Sequence, residues 1–151
     1  MLLGGELGRP EAELSQYKKQ AKAIRSAIET YFGAKIQGFD AYRYYNGNEV
    51  LRAWIAIPLT VGIYDRKEGT MDALFSPGLW IEDGLMSQEG DKVCFDRSTL
   101  YALRAAFVEG KAARAMDFLT RYTNRRMLGD HVPYPVEGGP VGTQPHLAAV
   151  R

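Results

Sequence analysis

The chain has 151 residues, 46% of them hydrophobic and 25% charged, with a formal net charge of +1. This fits one compact domain with a real core, read here as a single domain over 1–151. So even a charge balance gives no electrostatic reason to expect nucleic acid or an anionic membrane surface as a partner. The single cysteine, Cys94, excludes an internal disulfide framework.

Residues 1–10 lack the basic start and long apolar stretch of a secretory signal. Localisation stays open, leaning to the cytoplasm. Residues 11–32 carry the clearest periodicity. Leu14, Tyr17, Ala21, Ile24, Ile28 and Tyr31 step by 3 and 4, which predicts one apolar face of a helix. Pro10 suits its first turn, Glu11 and Glu13 its positive end, and Gly33 a C-terminal cap. Lys18, Lys19, Lys22 and Arg25 fall off that face and read as solvated.

Residues 34–48 break the helical period at Gly38, Asn46 and Gly47, predicting a loop with short extended pieces. Asn48 is placed to cap a second helix over about 49–64, kinked at Pro58 and apolar nearly all round, hence deeply buried. The longest apolar run, Trp54 to Tyr64, contains Pro58 and is too short to cross a bilayer. Thr70 can cap a short helix over 71–75, stopped by Pro77 and Gly78. A turn-rich stretch runs to Asp91. Asp96 or Ser98 then starts a helix to about Glu109, burying Leu100, Leu103 and Phe107. Gly110 joins it tightly to a helix over about 111–126, which buries Ala112, Ala115, Met116, Leu119 and Tyr122; the two predict an antiparallel hairpin. Residues 129–151 hold four of the seven prolines and read as an irregular tail.

Chemistry is suggested where acids meet aromatics. Leu79-Trp80-Ile81-Glu82-Asp83-Gly84 sets a tryptophan beside two carboxylates in a turn. Phe95-Asp96-Arg97-Ser98-Thr99 lies at a helix start. His131-Val132-Pro133-Tyr134-Pro135-Val136-Glu137 is a stiff loop ending in a carboxylate. Glycosidic hydrolysis uses one carboxyl to protonate the leaving oxygen and another to activate water or attack the sugar. Plainer roles fit the same residues: Asp96 as a helix cap, Glu82 and Asp83 as solvated turn acids, Glu137 as a surface acid. A structural hydrogen bond suits His131, and a core ion pair suits Arg97. Spacings for a metal site, a phosphate loop or a nucleophile elbow are not found. No cofactor is therefore expected.

The run from Tyr31 to about Leu147 resembles bacterial six-hairpin glycosidases. The resemblance rests on Ala41-Tyr42-Arg43-Tyr44-Tyr45, Leu51-Arg52-Ala53-Trp54-Ile55, Ile57-Pro58-Leu59-Thr60, Gly69-Thr70-Met71-Asp72-Ala73-Leu74-Phe75-Ser76-Pro77, the Leu79–Gly84 segment, Asp96-Arg97-Ser98-Thr99-Leu100-Tyr101-Ala102-Leu103-Arg104, and the run from Arg125 to Glu137. It implies an all-α fold, a partial α/α toroid of antiparallel helix hairpins with long loops. It also implies a glycoside hydrolase acting on carbohydrate by general acid/base chemistry. Catalytic roles then fall to Glu82, Glu137, Asp83 and Asp96, with Glu82 the general acid and Glu137 the base or a sugar ligand. Trp80, Tyr44, Arg97, His131 and Tyr134 would bind substrate. An inverting enzyme would hold its carboxyls about 6.5–9.5 Å apart. Three hairpins fall short of six, so the chain is expected to be a C-terminal piece of the catalytic domain, with self-association through unpaired helix faces. The competing expectation is a non-catalytic, tetratricopeptide-like hairpin module built on 98–122, or an inactive fragment.

Overall fold

The computed structural model describes residues 2–124. The irregular tail expected over 129–151 lies outside them. A short helix α1 (Leu2–Glu6) precedes the long helix α2 (Glu11–Phe32). A hairpin follows, β1 (Gly33–Ile36) with β2 (Phe39–Tyr42). Next come a 3₁₀-helix (Ala53–Ala56), α3 (Ile57–Thr60) and α4 (Lys67–Leu74). A second hairpin pairs β3 (Trp80–Ile81) with β4 (Gly84–Leu85). Helices α5 (Asp96–Val108) and α6 (Ala112–Tyr122) complete the described residues.

The all-α expectation, and with it the partial α/α toroid, is corrected by these hairpins. Two two-stranded antiparallel sheets make the fold a mixture of α and β. Strands this short carry too few alternations to register as a period in the sequence. The first hairpin is built by its turn. Gln37 (φ 49°) and Gly38 (φ 90°) both take positive φ between Ile36 and Phe39, the two-residue geometry that matches strand twist.

Helix α2 forms where its period predicts, but its apolar face is mostly uncovered. Leu14 is its buried residue, whereas Tyr17, Ile24 and Tyr31 are 52%, 62% and 52% exposed. Gly33 does not cap it in a left-handed turn; at φ −61° and ψ 127° it leads directly into β1.

The segment over 49–64 is not one buried helix. Asn48 accepts the Tyr44 N–H at 3.2 Å and closes a turn instead of capping a helix. Residues 51–53 then run extended beside 87–89. Arg52 pairs with Gln88 in an antiparallel bridge, the Ala53 N–H reaches the Ser87 carbonyl at 3.1 Å, and the Glu89 N–H reaches the Leu51 carbonyl at 2.9 Å. Helical turns begin only at Ala53, and Pro58 sits in the first turn of α3, where its missing N–H costs little. This leaves Trp54 only partly buried.

Helix α4 starts earlier than expected, so Thr70 lies inside it, and buried, instead of capping it. Gly69 lets α4 lie flat on β2: a methyl there would stand 2.2 Å from the Asp40 carbonyl oxygen. The same corner is tied by charge. Arg66 bonds Glu29 at 3.1 Å and also pairs with Asp40, while the Tyr42 hydroxyl donates to Glu29. Burial, then the Glu29 carboxylate, pushes the Tyr42 hydroxyl well above the ordinary tyrosine range.

Helix α5 is the spine. It packs on the 3₁₀-helix, α3, α4, β4 and α6. Ala102, Leu103, Ala105 and Ala106 face a core of Tyr42, Leu51, Leu59, Met71, Leu74, Leu79 and Leu85. Its small residues allow helices and hairpin to approach closely. Two expectations shift by one face: Phe107 and Met116 are exposed, while Phe118 is buried with Ala115 and Tyr122.

Candidate functional site

The β3–β4 hairpin carries the densest chemistry. Trp80 pairs with Leu85 and Ile81 with Gly84, so Glu82 and Asp83 form the turn. Gly84 takes φ 124°, a conformation that L side chains rarely adopt, and a methyl there would stand 2.7 Å from Thr99 Oγ1. The Leu85 N–H donates to that same oxygen at 3.0 Å, and the Thr99 hydroxyl donates to the Phe95 carbonyl at 3.0 Å. The Met86 N–H closes on the Leu79 carbonyl at 2.8 Å. The acid-bearing turn thus stands on a rigid footing at the start of α5.

Beside the turn opens a cleft of about 580 Å³, within the size range of small-molecule sites. Asp83, Glu89, Asp91 and Lys92 line it together with the apolar Ile81 and Met86. Glu82, the other turn acid, is exposed. Glu89 is held from two directions: its N–H by the Leu51 carbonyl, its carboxylate by the Gln37 amide. Asp91 is a structural acid. The Ser87 hydroxyl donates to Oδ2 at 2.7 Å and the Val93 N–H to Oδ1 at 3.1 Å, closing the loop between them. These bonds, the hydroxyl first, hold its carboxyl below the usual carboxylate range.

The other sequence candidates are dispersed. Asp96 opens α5 and is only 2% exposed, so its carboxylate sits at the positive end of the helix, away from solvent. Trp80 lies in an aromatic ladder. Its ring stacks on Phe75 at 4.5 Å and meets the edge of Phe118 at 4.7 Å, and Phe118 stacks on Tyr122 at 5.6 Å. Its faces serve the core, leaving little for a sugar. His131, Tyr134 and Glu137 lie outside the described residues.

Tyr44 and Arg97 belong to a second place. The Arg52 guanidinium lies 5.1 Å from the Tyr44 ring centre, and that of Arg97 lies 5.8 Å from the Trp54 ring centre. Trp54 also meets Tyr101 edge-on at 6.4 Å. Tyr44 and Trp54 both line a largely apolar groove of about 240 Å³. Sequence reasoning missed Glu89, Arg52 and Trp54. Glu89 stood in a turn-rich stretch with no aromatic neighbour, and the other two vanished into a presumed buried helix.

No group of three or more histidines, cysteines or carboxylates that could hold a metal ion occurs among the described residues. No helix among them is long and apolar enough to cross a membrane. Compared with protein-family models and with curated proteins, the chain matches none, so its function is argued from this geometry and from the sequence resemblance.

Proposed function

We propose that this chain carries glycoside hydrolase chemistry, with the cleft beside the β3–β4 hairpin as the reaction site and Asp83 and Glu89 as its carboxyl pair. The observation that carries the reading is that these two acids, on separate loops, line one cleft of about 580 Å³. General acid/base hydrolysis needs two carboxyls on opposite sides of a scissile bond. One protonates the leaving oxygen while the other activates water or attacks the sugar. Both loops are held by backbone hydrogen bonds, which limits the drift of the carboxyls. Apolar contact for a sugar ring comes from Ile81 and Met86. The ordered resemblance of Leu79–Gly84 and of Asp96–Arg104 to six-hairpin glycosidases points to the same chemistry.

The test is hydrolysis of a panel of nitrophenyl glycosides by the chain and by Asp83→Asn and Glu89→Gln. Each variant is expected to lose about 10²–10⁴-fold in rate on the substrate that the parent cleaves. A panel with no hydrolysis above buffer sinks the reading. So does full activity in both variants.

A further inference from the structure

Beside the first hairpin opens a second, polar cleft of about 500 Å³, within the size range of small-molecule sites. Lys35 and Gln37 line it from β1 and its turn, and Arg43, Asn48 and Glu49 from the segment that follows β2. It shares no lining residue with the acid-lined cleft at the second hairpin.

Asn48 is its fixed point. The residue is only 6% exposed. Its main-chain N–H donates to the Tyr45 carbonyl at 3.1 Å, and its Oδ1 accepts the Tyr44 N–H at 3.2 Å. A main-chain N–H needs an acceptor, so the second bond decides how the side-chain amide faces: oxygen toward Tyr44, nitrogen away from it. That Nδ2 has no hydrogen-bond partner among the described residues, and it is not sealed in the core. A nearly buried amide that keeps its donors free at the wall of a cleft is set to meet an acceptor from outside the chain.

Arg43 is half-buried and anchored in the same way. Its main-chain N–H joins the Phe32 carbonyl at 2.8 Å, and its Nε joins the Tyr31 carbonyl at 2.8 Å. The two terminal nitrogens are left over, the end of the fork that pairs with an oxyanion edge. No carboxylate pairs with Arg43 or Lys35 among the described residues. Asp40 stands across the hairpin from Lys35 but is taken by Arg66.

We infer that this cleft is a binding site for a small carboxylate, met by the terminal nitrogens of Arg43 and by Asn48 Nδ2, with Lys35 adding attraction. Two cations and one acid line the cleft, a formal balance of +1 that matches a singly charged oxyanion. A dianion would set its second charge against the Glu49 carboxylate. The volume leaves room for a ligand body behind the carboxylate, so acetate is the smallest probe of the recognition. None of this depends on the hydrolase reading.

The test is a titration of the isotope-labelled chain with acetate, and separately with sulfate, at constant ionic strength, following the side-chain amide resonances of Asn48. Acetate is expected to move them saturably, with half-saturation at about 1–10 mM. Sulfate is expected to bind at least about threefold more weakly, and Glu49→Gln to remove that difference. Arg43→Gln should weaken acetate at least about fivefold, and Lys35→Gln, at an exposed position that leaves the core alone, at least about twofold. Asp83→Asn should leave acetate binding unchanged even where it abolishes hydrolysis, which separates failure of this cleft from failure of the other. Resonances that drift linearly with acetate overturn the inference, as do Arg43→Gln and Lys35→Gln variants that both keep the parent affinity. Sulfate binding the parent as tightly as acetate overturns the choice of a carboxylate.

Discussion

The Leu85 N–H donates to Thr99 Oγ1 at 3.0 Å, so one threonine on α5 holds the strand that follows the acid-bearing turn. The same oxygen stands where a side chain on Gly84 would have to go. Hydrogen bond and close packing are therefore two uses of one atom, and they fix the height of the hairpin over the helix.

Thr99→Val keeps the volume but deletes the acceptor, leaving a buried N–H without a partner. It is expected to cost about 2 kcal/mol, read as a lower urea midpoint at unchanged slope. Gly84→Ala meets both the strained φ and the Thr99 oxygen and is expected to cost about 3 kcal/mol. Thr99→Ala removes the clash but not the backbone strain. The double variant should thus fall short of the sum of the single costs by about 1 kcal/mol. Strict additivity in the cycle would show that the two residues do not meet as described.

Asp91 predicts an acid-side loss of stability. Its folded carboxyl is held below the ordinary value by the Ser87 hydroxyl and the Val93 N–H. A depressed folded pKa contributes stability that is present above the unfolded pKa of about 3.9 and is lost as pH falls through the folded value. Urea unfolding of the parent and of Asp91→Asn should therefore differ most near neutral pH and converge below about pH 4. A gap that is constant with pH would contradict this origin.

Two leucine-like positions on the same stripe of α2 should behave differently. Leu14 is buried, and a side chain on Gly4 of α1 would run into it, whereas Ile24 is 62% exposed. Leu14→Ala is expected to cost about 2 kcal/mol and Ile24→Ala less than about 0.5 kcal/mol. Thermal unfolding of both variants checks the contrast; equal losses would mean that Ile24 is covered in solution. Sedimentation over a concentration series then reads whether that cover is a second copy of the chain.

Phe118 joins Trp80 to Tyr122 in the aromatic ladder and is 3% exposed. Phe118→Ala is expected to cost about 3–4 kcal/mol and to reduce the near-ultraviolet circular dichroism of Trp80. An unchanged Trp80 signal would contradict the packing.

Helix existence was legible in the sequence wherever a 3.6-residue period ran for three turns or more. α2, α5 and α6 begin within a residue or so of where apolar spacing, prolines and first-turn acids put them. The acid turn was legible too, because Glu82-Asp83-Gly84 combines solvated side chains with a glycine able to take positive φ. Periodicity says which face of a helix is apolar but not whether anything covers it, and only tertiary packing left the Tyr17, Ile24 and Tyr31 stripe open. It is equally silent on pairs distant in sequence. The bridge of Arg52 to Gln88 turned a presumed buried helix into an extended wall, with Glu89 on one side and Arg52 on the other. Backbone hydrogen bonds between remote segments have no signature in local composition. Asp83 and Tyr44 were therefore visible from the start, whereas Glu89 and Trp54 were brought beside them only by the fold.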